Sequence, residues 1–254
     1  MKARGVTLPC FYSFLPTKES VTYQVMFSHL KLAMGENFPA VFHVDYEIAV
    51  IKVLKETFPE TRVQGCVVHF KRSLRRKLVE LKLSESVDKN ILVQNWFRKL
   101  WALQLVPPLD AAWVLENHIK NTIPYEEDEE AIAEDPERVD NFNEALDNYA
   151  TYFELTWLGR PRPDGPRRNP RFPISTWTIN VSVLEDTEFS TNCSESWNSV
   201  SKLTVVSKPS LWQLLIQLKA EDASMRAKML AVRSGAWKDK TPVGLQGGLL
   251  KKLP

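Results

Sequence analysis

Between Phe38 and Phe70 the chain changes its hydrophobic period twice, and this succession limits the folds open to it. Phe38 to Val44 is an apolar run broken only by Pro39 and His43, and Asp45 stands where it stops. Such a run suits a strand covered on both faces of a parallel or mixed sheet. Ile48, Ile51, Leu54 and Phe58 then recur at helical spacing, and Pro59 lies just beyond them. Arg62 to Phe70 returns to strand character. Strand, helix and strand of these lengths predict a βαβ unit with a right-handed crossover.

The rest of the chain is arranged around that unit. Residues 6 to 15 read as a strand whose Pro9 places its start near an edge or a bulge. Thr22 is a candidate cap for a helix with Tyr23, Met26, Phe27 and Leu30 inward, ended by Gly35. From Phe70 the period is helical, with Phe70, Leu74, Leu78 and Leu81 on one face. Ile91 to Val106 reads as a core helix stopped by Pro107 and Pro108, and Asp110 as the cap of a further helix to about Lys120. Glu126 to Glu130 are consecutive acids, expected to repel one another and stay solvated. Helicity resumes around Val139, with Phe142, Tyr149 and Phe153 inward.

Arg160 to Pro173 is rich in Pro and Arg and forms no regular element. Phe172 to Ile179 reads as a strand, a helix opens at Ser190, and Leu211 to Leu230 is a last amphipathic helix. The organisation is an α/β piece interrupted by an all-α insertion. Residues 1–75 form the N-terminal part of the core, 76–170 the helical insertion, 171–234 the C-terminal part of the core, and 235–254 a flexible tail.

Composition narrows the function classes. A length of 254 residues, 44% hydrophobic and 25% charged, is that of an ordinary globular chain. Three widely spaced cysteines, Cys10, Cys66 and Cys193, argue against a disulfide framework and for a reducing, intracellular compartment. No apolar stretch is long enough to span a membrane and no signal peptide is evident at the start. The net charge of +2 does not indicate a nucleic-acid partner, but the distribution is uneven. Lys71, Arg72, Arg75, Arg76 and Lys77 crowd one helix face, and Arg160, Arg162, Arg167, Arg168 and Arg171 lie on one loop. Both clusters suit a phosphate backbone, and the first also suits a nuclear-localisation run; a solvated helix face is the plain alternative. P-loop, dinucleotide-binding and Ser-His-Asp signatures are absent.

Two acids draw notice. Asp45 lies beyond a strand end, where ligands gather in open α/β sheets, and capping of the following helix is its alternative role. Glu195, in the run T-N-C-S-E-S-W-N, is either a capping-box acid or a second metal ligand. Two-metal phosphoryl transfer normally needs a third carboxylate, and no Asp precedes Asp45. Cys66 and His69 have half the spacing of a zinc site, or are a buried thiol and a satisfied imidazole.

Taken in order, these pieces resemble the MULE transposase domain, the catalytic region of Mutator-like DNA transposases. The likeness rests on L-P-C-F-Y-S-F-L-P-T-K, T-Y-Q-V-M-F-S-H-L, V-D-Y-E-I-A-V-I with T-F-P-E, C-V-V-H-F, L-V-P-P, Y-F-E-L-T-W-L-G and T-N-C-S-E-S-W-N, over about residues 6 to 220. It implies a ribonuclease-H-like core interrupted by an all-α insertion. It also implies Mg²⁺ or Mn²⁺ held by an Asp, Asp, Glu triad that cleaves and joins DNA at transposon ends. Asp45 matches the second acid and Glu195 the third, while Cys66 and His69 match the family's Cys-x-x-His beside the active site. Asn192 and Asn198 belong to the same region, Asn198 standing where the family commonly has His. The first strands and first Asp are expected to be missing, which predicts little or no catalysis. The alternatives are a domesticated DNA-binding or chromatin-associated protein of the nucleus without catalysis, or an interaction scaffold that binds a partner or a second copy, as a possible homo-oligomer.

Overall fold

The computed structural model describes residues 2–3, 6–7, 11–163, 165–185 and 210–236. Two compact units emerge, one of residues 1–14 with 192–254 and one of residues 15–191. In the first, β1 (Lys2–Ala3) pairs antiparallel with β2 (Val6–Thr7). Of the strand expected over residues 6 to 15, Val6–Thr7 is a strand and residues 11–15 are irregular. The same unit holds the helix Leu211–Arg233, opened by a capping box in which the Ser210 hydroxyl accepts from the Gln213 amide. The opening of a helix at Ser190 and the tail from 237 lie outside the described residues.

In the second unit α1 (Ser20–Met34) buries Tyr23 and Phe27 and ends at Gly35, whose φ of 59° needs a residue without a Cβ. Then β3 (Val41–Val44) pairs in parallel with β4 (Arg62–Gly65), in the register Val41↔Arg62 to Val44↔Gly65. Between them α2 (Ile48–Thr57) buries Ile51, Val53 and Leu54. The βαβ unit is thus present, with three corrections. Glu47, not Asp45, is the N-cap of α2. Ile48 is exposed rather than part of the inward stripe. And β4 ends at Gly65, because α3 (Val67–Glu80) begins immediately after Cys66 and claims Val67 to Phe70 for a helix.

Beyond α3 the unit is mainly helical: α4 (Ser84–Lys89), α5 (Ile91–Ala102), α6 (Ala111–Val114), α7 (Glu129–Glu134) and α8 (Pro136–Phe153). Asp110 makes no side-chain cap, and the helix it precedes loosens into a π-turn at Leu115–Ile119. The acidic run is not all irregular, since Asp128 caps α7 and Glu129 and Glu130 form its first turn, where carboxylates suit the helix dipole. A second π-turn, Glu154–Leu158, prolongs α8. Residues 172–179, expected as a strand, instead form α9 (Ile174–Trp177) and lead into α10 (Asn180–Leu184).

The core of this unit is aromatic. Phe70 from α3 stacks on Trp177 from α9 at 5.3 Å and meets Trp157 edge-on at 4.6 Å. Phe153, Trp157 and Trp177 are wholly buried. The Gln64 amide of β4 donates to the carbonyls of Thr176 (2.9 Å) and Thr178 (3.1 Å), tying α9 to the sheet. No helix among the described residues is long and apolar enough to cross a membrane.

Candidate functional site at the strand ends

The register of β3 and β4 brings their carboxyl ends together, so Asp45 and Cys66, the residues after Val44 and Gly65, are neighbours. The Cys66 amide donates to the Val44 carbonyl at 2.8 Å, which fixes the exit of one strand against the other. Cys66 is the N-cap of α3, and that helix carries His69 back toward β3. His69 Nδ1 lies 3.1 Å from Asp45 Oδ1. The Asp45 side chain is 59% exposed and that of His69 26%, so the pair faces solvent from the carboxylate side. The Cys66 side chain is fully buried and carries no disulfide.

Tyr46 is the floor of this end. Its ring meets Trp157 edge-on at 5.1 Å, Phe172 at 5.2 Å and Phe70 at 6.3 Å. Burial pushes its phenol well above the ordinary value, and the adjoining Cys66 adds to that. The ring lies against Gly65, where an added Cβ would come within 2.6 Å of it. Because packed neighbours fix the ring, Gly65→Ala is expected to lower stability by about 1–3 kcal/mol, measured by thermal or urea unfolding. An unchanged midpoint would show that Tyr46 is not held against the strand.

Asp45, His69 and Cys66 therefore stand together, a neighbourhood that the sequence offered only through the family resemblance. Glu195, Asn192 and Asn198 lie outside the described residues. Among the described residues no group of three or more His, Cys, Asp and Glu side chains is placed to hold a metal ion. A hard Mg²⁺ or Mn²⁺ ion takes mainly oxygen ligands. One carboxylate, one imidazole and one buried thiol do not fit it, and Cys66 and His69 alone fall short of a zinc set.

The basic residues divide into two kinds. Lys71, Arg72, Arg75 and Arg76 are exposed along α3, and Lys77 is half-buried. Lys71 Nζ sits 4.5 Å from the centroid of the Trp101 ring, and Lys77 pairs with Glu80 at 2.6 Å. On the loop, Arg168 is exposed, whereas Arg167 is drawn inward.

Arg167 donates from Nη1 to Glu116 Oε1 at 2.9 Å, from Nε to the Gly159 carbonyl at 3.0 Å, and from Nη2 to Glu154. Lys120 Nζ reaches the same two acids, Glu116 at 3.1 Å and Glu154 at 2.9 Å. Burial pulls the Arg167 guanidinium below its ordinary value, and Glu116 opposes that. Arg167 is thus spent on a structural clasp, a correction to its place among the phosphate contacts. Sequence reading missed Glu116 and Glu154, each of which lies on a π-turn. The one signal in the sequence was Glu116 and Lys120 at the i, i+4 spacing of a helical ion pair.

No curated protein and no solved structure matches this chain. Residues 1–73 match the family model of the MULE transposase domain, so the stretch that carries Asp45, Cys66 and His69 is similar to that family.

Proposed function

We propose that this chain is a transposase-derived protein that holds the phosphate backbone of duplex DNA along the basic face of α3, beside Asp45. The observation that carries the reading is the family match over residues 1–73, which contains the Asp45–His69 pair and the first of the α3 cations. The ribonuclease-H-like core belongs to the same proposal, supported by the parallel β3–β4 pair with its carboxylate at the strand end. Lys71, Arg72, Arg75 and Arg76 lie on one exposed side of one helix and supply positive charge there. Such a face gives salt-sensitive, largely sequence-independent affinity.

The family's strand-cleaving chemistry requires Mg²⁺ or Mn²⁺, and the described donors do not fit either ion. Glu195 lies outside the described residues, so no step of cleavage is assigned, and the activity proposed is binding. Arg75→Gln and Arg76→Gln are each expected to weaken binding to a labelled duplex and to reduce the slope of log K against log salt by about one. Fluorescence anisotropy at several salt concentrations measures this. Binding absent at low salt would contradict the reading. So would strand cleavage with Mg²⁺ or Mn²⁺ that Asp45→Ala abolishes, since that restores a catalytic role.

A second reading, self-association, is favoured by the outer face of α1. Val21, Val25 and Leu32 are 68%, 55% and 81% exposed on one side of that helix. Sedimentation showing a single monomeric species would remove it.

A further inference from the structure

The helix Leu211–Arg233 has two unlike sides. Leu214, Leu218, Met225 and Val232 share the covered one, Val232 being buried and the others half-buried. On the opposite side Trp212, Ile216, Lys219, Ala223, Arg226 and Leu230 follow one another at alternating steps of four and three residues. That is the heptad spacing of a seam between two paired helices. Every residue of this stripe is exposed, Trp212 by 75%, Ile216 by 66% and Leu230 by 65%. An indole and two branched aliphatic side chains in line mark a contact surface rather than a side built to face water.

The charges on the stripe decide what covers it. Against a parallel second copy, Lys219 would meet Lys219 and Arg226 would meet Arg226, two repulsive contacts on the seam. Reversing the second copy removes both. With the helices antiparallel and crossing level with Glu221, Trp212 falls opposite Leu230 of the other copy, Ile216 opposite Arg226, and Lys219 opposite Ala223. Every seam position then meets a seam position. Lys219 also comes within one residue's rise of Asp222 of the other copy, on the same flank, and symmetry makes the attraction twice over. Asp222 accepts from Arg226 Nε at 2.8 Å within its own helix and is still 55% exposed, so it can take a second cation. That bond draws the Arg226 head off the seam, and the small Ala223 leaves room for the Lys219 stem.

We propose that two copies of the chain associate through this stripe, with the helices Leu211–Arg233 antiparallel about a two-fold axis level with Glu221. The occupant is a second copy because seam and flank complement themselves under that one operation, as a two-fold contact requires. The stripe runs along roughly 27 Å of helix. Its apolar area, on the order of a few hundred Å², suits a weak, reversible dimer rather than an obligate one. The contact is independent of the DNA reading and lies elsewhere than the outer face of α1.

The test is sedimentation equilibrium of the full chain over a concentration series reaching about 100 µM. The chain is expected to dimerise in the micromolar range, and Ile216→Asp to stay monomeric throughout. Lys219→Asp sets like charges opposite each other at Asp222 and is expected to weaken the dimer about tenfold, while adding Asp222→Lys to it restores the attraction and the dimer. All these positions are exposed, so unchanged circular dichroism of the variants shows that the fold is intact. A monomer at every concentration overturns the proposal. So does a dimer that Ile216→Asp leaves whole and Val25→Asp dissolves, which puts the contact on α1. A dimer dissolved by Ile216→Asp but indifferent to both charge reversals overturns the antiparallel pairing.

Discussion

Gly159→Ala is expected to destabilise the protein by about 3 kcal/mol or more, from backbone strain and overpacking together. Gly159 has φ of 84°, a conformation costly for any residue with a Cβ. An added Cβ would stand 1.7 Å from the Arg168 carbonyl oxygen and 3.1 Å from the Pro170 nitrogen. Both obstacles are backbone, so no side-chain rotation relieves them. The Arg168 amide also donates to the Arg160 carbonyl at 2.8 Å, holding the returning chain against this point. Thermal unfolding is expected to fall by roughly 6–12 °C. A shift within a degree or two would mean that the loop does not cross over Gly159.

Removing the cation that closes this loop is the second large effect. In Arg167→Met the carboxylates of Glu116 and Glu154 lose a shared partner, and only Lys120 remains between them. The Glu154 side chain is only 12% exposed and that of Arg167 18%, so solvent does little to replace the lost contacts. The cost is expected to be roughly 2–3 kcal/mol, below that of a fully buried pair. Combining Arg167→Met with Glu154→Gln is expected to recover part of it, because the stranded charge is then gone. Additive losses in that double variant, read by urea unfolding, would show that the two residues do not act on each other.

These two sites also show where the sequence was legible. The βαβ unit could be read because its period changes sharply between Val44 and Ile48, and Pro59 marks the end of α2. Asp45, Cys66 and His69 stand together because parallel pairing places residues after adjacent strand ends side by side, whereas the sequence reading put Cys66 and His69 within a strand and joined them to Asp45 only through the family resemblance. Boundaries failed where the local pattern served two structures. Val67, Val68 and Phe70 are β-prone in isolation, yet they form the first turn of α3 because Phe70 packs on Trp157 and Trp177. Phe172 to Ile179 failed for the same reason: Trp177 is buried in that cluster and its indole donates to the Trp157 carbonyl at 2.9 Å. The clasp of Arg167 was out of reach, since its acids lie 51 and 13 residues away. Only tertiary structure separates that arginine from Arg168 and Arg171.

The proposed function depends on which side of the molecule duplex DNA meets. Photo-crosslinking of the full chain to a duplex carrying a reactive thymine analogue, followed by mass spectrometry of the joined peptides, reads that surface directly. The expected adducts fall on residues 69–77, around the end of the sheet that bears Asp45. Adducts confined to the helix Leu211–Arg233, or to the acidic stretch from Glu126 to Asp147, would contradict it.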